Sequence, residues 1–198
     1  MRLSPAQLAT IEYQNDGKLD SLTSTLAPGH FFELVVRESS IAERAGASLL
    51  LLSIKLDINR YFDRIESIVD ASVEAHDESA GEPERFSPTE AVARIERYVI
   101  NLAETISENL RAGDLMTRYS DTGFLLLMRG SEVEFHLAQK RISEIVKASE
   151  NLLIQTHGGR INKSALTSDS IWNIDSLIRE RGEARSHLIE RVDRMHFR

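Results

Sequence analysis

The 198 residues predict an α/β (α+β) domain in which helices cover a mixed, largely buried central sheet. Three observations lead there. Segments with apolar residues at three- and four-residue spacing alternate with short apolar runs. The run SLLLLSIKLDI has the length and flanks of a strand buried on both faces. Serine-proline capping sequences mark helix starts.

Taken in order, Ser4-Pro5-Ala6-Gln7 opens a short helix running towards Tyr13. After a polar turn and LDSLTSTLAPGHFF, a second helix is predicted over about 30–45. It carries Phe31, Leu34, Val35, Ile41, Ala42 and Ala45 on one stripe, with Gly46 as its stop. The buried strand follows, and YFDRIESIVD begins another helix. The acidic stretch DASVEAHDESAGEPERFSP reads as an exposed insertion. Ser87-Pro88-Thr89-Glu90 is a capping box leading into Val92, Ile95, Val99, Leu102, Ile106 and Leu110, with Gly113 at the helix exit. LMTRY and FLLLM form a hairpin around SDTG. Ser131 and Glu134 cap a helix with Phe135, Ala138, Ile142, Ile145 and Val146 inward. LLIQT and RINKSAL are predicted strands around a His157-Gly158-Gly159 turn. A last helix is expected to carry Ile174, Leu177, Ile178, Ala184 and Leu188. The division expected is a helical arm at 1–19 and one domain at 20–198, with the acidic insertion at about 70–88.

Composition removes several function classes. The chain has no cysteine, so disulfides, thiolate zinc sites and cysteine nucleophiles are excluded. A net charge of -7 argues against a general nucleic-acid binder, though not against a small anionic ligand held by a few arginines. The six histidines are scattered, without metal-ligand spacing, so no metal site is expected. There is no Walker A loop, GxGxxG or GxSxG. No signal peptide or apolar run long enough to span a membrane appears, which makes a cytoplasmic location the expectation.

Four phrases in sequence resemble the GGDEF domain, the diguanylate cyclase fold. DSLTSTLAPGHFF is similar to DxLTGLxNRxFF with one residue inserted, and GASLLLLSIKLD to the first central strand that ends in DxD. LRAGDLMTRYSDTGFLLLM matches LRxxDxxxRxGGDEFxxLL with equal spacing from Leu110 through Arg118 to Phe124. DSLIRERGEARSHLIERVD stands where the closing helix would be.

The resemblance implies a site in which two aspartates and an acidic signature residue hold Mg²⁺ and GTP. Here Lys55 takes the first DxD aspartate and Asp57 the second. Ser120 and Asp121 replace the glycines, Thr122 the aspartate and Gly123 the glutamate, while Ile189 stands for a phosphate-binding lysine. An ammonium where a divalent cation belongs reverses the local field. Asp121 could supply a displaced carboxylate, but the equal spacing leaves no slack. No catalysis and no cofactor are therefore expected. SDTG reads as turn chemistry, with Asp121 bonding backbone amides and Gly123 in the left-handed conformation.

The other polar cluster differs. RxxD before the signature resembles the family's inhibitory site for cyclic di-GMP, and Arg111 and Asp114 hold both defining positions. A guanidinium matches guanine O6 and N7, and a carboxylate matches N1–H and N2–H. A second basic residue, Arg141 or its neighbour Lys140, falls on the following helix. The plain alternatives are a helix end with arginine near its carbonyls, or a relic of an active ancestor. The expected function is an inactive GGDEF-like receptor for cyclic di-GMP, forming a homodimer or joining a partner signalling protein. The alternative is an interaction scaffold that binds no nucleotide, and residual cyclase activity ranks last.

Overall fold

The computed structural model describes residues 7, 11, 13–74, 87–156 and 170–197. Its elements are α1 (Pro28–Ala45), β1 (Ser48–Leu56), α2 (Ile58–Glu74), α3 (Pro88–Asn109), β2 (Leu115–Ser120), β3 (Gly123–Gly130), α4 (Glu132–Thr156), β4 (Trp172–Ile178) and α5 (Arg185–His196). The four strands pair antiparallel in the order β2-β3-β1-β4. Among the described residues a parallel pairing occurs as the isolated bridge Leu26–Thr117.

Both faces of β1 are buried, which explains why it reads as a continuous apolar run rather than an alternation. Leu50, Leu52, Ile54 and Leu56 point to one face. They pack with Tyr61, Phe62 and Ile65 of α2, Ile95, Val99, Leu102 and Ile106 of α3, and Phe135, Ile142 and Val146 of α4. Leu49 and Leu51 point the other way, to Phe31, Phe32, Val35 and Ala42 of α1 and Leu188 and Val192 of α5. The period of two continues past the apolar run, so Ser53 and Lys55 share the α1/α5 face. In register, Lys55 lies opposite Gly123 and Ile54 opposite Phe124.

The start and stop signals operate as chemistry. Ser87 Oγ accepts from the Glu90 amide while the Glu90 carboxylate accepts from the Ser87 amide. Ser131 and Glu134 repeat the arrangement at α4. Gly46 closes α1 at φ 65°, a left-handed conformation that costs glycine little. Ala45, expected inward, is exposed at the last position of that helix.

Three expectations are corrected. Residues 152–156, read as a strand, continue α4, since a short apolar run carries no period of its own and the capped helix runs on through it. Ile174, Leu177 and Ile178, assigned to the last helix, belong to β4. There buried Trp172 and half-buried Ile174 alternate with exposed Asn173 and Asp175, and Ile174 pairs with Ile54. The last helix starts at Arg185, ten residues after the expected beginning of the closing segment. Gly113 is not in the positive-φ region, and α3 ends at an extended Leu110. The predicted helix at Ser4, the His157–Gly159 turn, the RINKSAL strand and most of the acidic insertion lie outside the described residues.

The α3 cap gives a direct check. Ser87→Ala removes the acceptor for one helix-start amide and should cost about 1 kcal/mol in urea unfolding. An unchanged midpoint would show that the box carries no stability.

Candidate functional site

The DSLT segment and the hairpin are joined through a buried arginine. Arg118 on β2 has a fully buried side chain, which requires a paired charge. Asp20 supplies it in a two-pronged pair, Nε to Oδ1 at 2.9 Å and Nη2 to Oδ2 at 2.7 Å. Arg118 Nη1 reaches the Asp121 carbonyl at 3.3 Å, and its guanidinium lies 4.8 Å from the centre of the Tyr13 ring. Asp20 also accepts from the Thr23 amide and hydroxyl, so one carboxylate shapes its own turn and holds the strand.

Beside this clamp the hairpin roofs a pocket of about 760 Å³, lined by Ser53, Lys55, Asp57, Asp121, Asp175 and His196 among others. On β1, Ser53 and Lys55 share this face, and Asp57, the next position in the period of two, lines the pocket as well. Asp57 lies past the end of β1, where its Oδ1 accepts from the Asn59 and Arg60 amides at 3.1 Å and starts α2. No group of three His, Asp or Glu side chains could hold a metal among the described residues. A hydroxyl and an ammonium at the strand positions do not fit Mg²⁺, a hard cation that takes carboxylate oxygens. Ile189 packs against the α1/α5 core, an apolar neighbour rather than a phosphate ligand.

His196, the last residue of α5, lines the pocket and is buried. Its Nδ1 is 2.8 Å from Ser53 Oγ and its Nε2 2.9 Å from Ser120 Oγ. Burial pushes its pKa down to about 4, with the Lys55 charge acting in the same direction and Asp193 against it. The expected left-handed Gly123 is corrected here, because its φ is not positive. Glycine is required for space: a Cβ would stand 2.5 Å from His196 Cε1, 2.6 Å from Nε2 and 2.7 Å from Ser120 Oγ. Sequence reasoning missed His196 and Ser53. The glycine inside a strand pattern, which marks a close approach, was the available signal.

The RAGD cluster forms a turn between α3 and β2. The Arg111 amide donates to Asp114 Oδ2 at 3.0 Å, and the Asp114 amide donates to the Arg111 carbonyl at 2.9 Å. The Arg111 guanidinium is 63 % exposed and stands 3.6 Å from Glu134 Oε1 at the start of α4. Arg141 lies seven residues after Glu134 and so shares its helix face, whereas Lys140 is turned roughly 120° away. Arg141 is half-buried, and its Nε is buried without a hydrogen-bond partner.

No family model matches the chain, and no curated protein matches it in sequence. Solved structures do match. A sensory box/GGDEF family protein from Caulobacter crescentus has a TM-score of 0.56 at 14% identity, covering 91% of this chain and 96% of that one. The GGDEF domain of FimX from Pseudomonas aeruginosa gives 0.53 at 18%, covering 90% of each chain. The GGDEF domain of DgcB from C. crescentus, in complex with c-di-GMP, gives 0.52 at 15%, covering 92% and 90%. The chain has the GGDEF-like α+β fold. None of the described helices is long and apolar enough to cross a membrane.

Two measurements check this geometry. Asp20→Ala leaves the Arg118 charge buried without its partner and should cost about 3–5 kcal/mol in urea unfolding; a loss below about 1 kcal/mol would contradict the clamp. His196 titrates near 6.5 when unfolded and about 4 when folded, so the unfolded chain binds more protons between those values. Its contribution is complete above the unfolded value and declines as pH falls towards the folded one. Compared with His196→Asn, the protein should lose on the order of 2–3 kcal/mol over that window. Parallel stability curves for the two proteins would refute the shift.

Proposed function

We propose that this chain is a catalytically inactive GGDEF-like module that receives cyclic di-GMP at the α3–β2 turn. The observation that carries the reading is the turn itself. An exposed guanidinium and a carboxylate stand together in it, and Arg141 lies on the α4 face that begins beside Arg111. Arg111 would read guanine O6 and N7, Asp114 the N1–H and N2–H edge, and Arg141 a phosphate or a second guanine. The Glu134 pair is a surface pair worth at most about 1 kcal/mol, so it yields to a ligand at little cost. Solved neighbours include GGDEF domains in complex with c-di-GMP, which supports the ligand class. Inactivity is supported by Ser53 and Lys55 on the pocket face of β1 and by Asp57 engaged in starting α2.

The second reading is a scaffold that binds no nucleotide. Val133 and Leu137, one helical turn apart on the outer side of α4, are 69 % and 63 % exposed and offer an apolar strip to another protein.

Calorimetric titration separates the two. Wild type should bind cyclic di-GMP with Kd below about 10 μM, and Arg111→Ala should weaken it roughly 10- to 100-fold. No heat in wild type at tens of micromolar, or equal binding by both proteins, would sink the receptor reading. Incubation with GTP and Mg²⁺ or Mn²⁺ should give no product. Turnover abolished by Asp57→Ala or Asp121→Ala would overturn the assignment as inactive.

A further inference from the structure

We propose that the last turn of α5 is an intramolecular plug, with the His196 imidazole seated under the hairpin as a resident ligand would be and Gly123 as the space made for it. The inference concerns the hairpin pocket and stands apart from the cyclic di-GMP reading.

The seat has the features of a binding site for a small planar ring with one donor and one acceptor. Both imidazole nitrogens meet hydroxyls, from Ser53 on β1 and Ser120 on β2, two strands separated by β3. A serine hydroxyl donates or accepts as required, so a neutral ring satisfies both bonds at once. An ordinary helix end needs no such pair, and it needs no missing Cβ in the central strand facing it. Carbon atoms in contact keep roughly 3.5–4.0 Å apart, so a side chain at position 123 and a ring at this depth exclude each other. Of the atoms in the way, Ser120 Oγ can rotate aside, but the ring is held on two sides.

The plug is fastened from behind. The Tyr119 hydroxyl donates to Asp193 Oδ1 at 2.6 Å, and the Tyr119 ring packs edge-on against His196. Outside the ring, Phe197 lies edge-on to His196 and beneath the Lys55 ammonium, 5.4 Å from the ring centre. The charged and titratable groups around the seat are Lys55 of β1, Asp57 at the start of α2, Asp121 of the hairpin, Tyr119 of β2, Asp175 of β4 and Asp193 of α5. The hairpin is thereby tied to β1 and α5 through side chains of the chain itself.

A mutant cycle on the full chain with added imidazole tests the plug. Gly123→Ala should lower the folding equilibrium constant strongly in wild type. In a His196→Gly background that penalty should shrink at least about tenfold, because the ring is gone. Imidazole at about 20 mM and near pH 8 should raise the melting temperature of His196→Gly by refilling the hole, and should leave wild type and the double variant unmoved. If Gly123→Ala does not fold alone, recovery of folding in the double variant is the same result. If His196→Gly folds only on refolding with imidazole, that also supports the plug. Equal penalties for Gly123→Ala in both backgrounds, or no response of His196→Gly to imidazole, would overturn it.

Discussion

The Arg118 guanidinium sets the arrangement of everything around the hairpin. A permanently charged group with no access to water must be matched on every side, and the matches come from separate parts of the chain. Asp20 reaches it from the segment before α1, the Asp121 carbonyl from the turn, and the Tyr13 ring covers one face. The same segment is tied along β2 by Thr25 Oγ1, which accepts from the Arg118 amide, and by the Leu26 carbonyl, which accepts from Thr117 Oγ1. The hairpin is therefore fixed at its base by buried charge and at its tip by α5. What remains on the surface, the RAGD turn, hangs from a rigid β2.

That rigidity separates two places that look equally polar in sequence. At the hairpin, side-chain hydrogen bonds run inward, from serines to His196 and from arginine to a carbonyl, so the groups are used by the fold. At the α3–β2 turn only backbone amides and one carboxylate oxygen of Asp114 are needed to close the loop. The Arg111 guanidinium is left at the surface beside Glu134. A charged group spent on a weak surface pair is available to a ligand in a way that a buried one is not.

Much of this was legible in the residues. β1 announced itself as a strand through continuous apolarity, and both serine-glutamate boxes placed helix starts to the residue. The spacing from Leu110 to Phe124 aligned the hairpin. The misses have physical reasons. Apolar stretches of about five residues satisfy helix and strand templates alike, which put 152–156 into a strand and 174–178 into a helix. Gly123 was read by its usual property, freedom at positive φ, when its use here is the absence of a Cβ. That use depends on a histidine 73 positions later, and no local pattern connects the two. Asp57 keeps the period of two set by Ser53 and Lys55 and lines the same pocket, while its carboxylate also accepts from the first amides of α2.

On the proposed reading, ligand recognition sits at the α3–β2 turn and not in the hairpin pocket. Amide chemical shifts recorded while cyclic di-GMP, and separately GTP with Mg²⁺, are titrated into the chain test both halves at once. The account predicts saturable shifts at residues 111–114 and 134–141 with cyclic di-GMP, and none at 53–57 or 120–123 with GTP and Mg²⁺. Saturable GTP shifts in the hairpin pocket, or a silent α3–β2 turn in the presence of cyclic di-GMP, would contradict it.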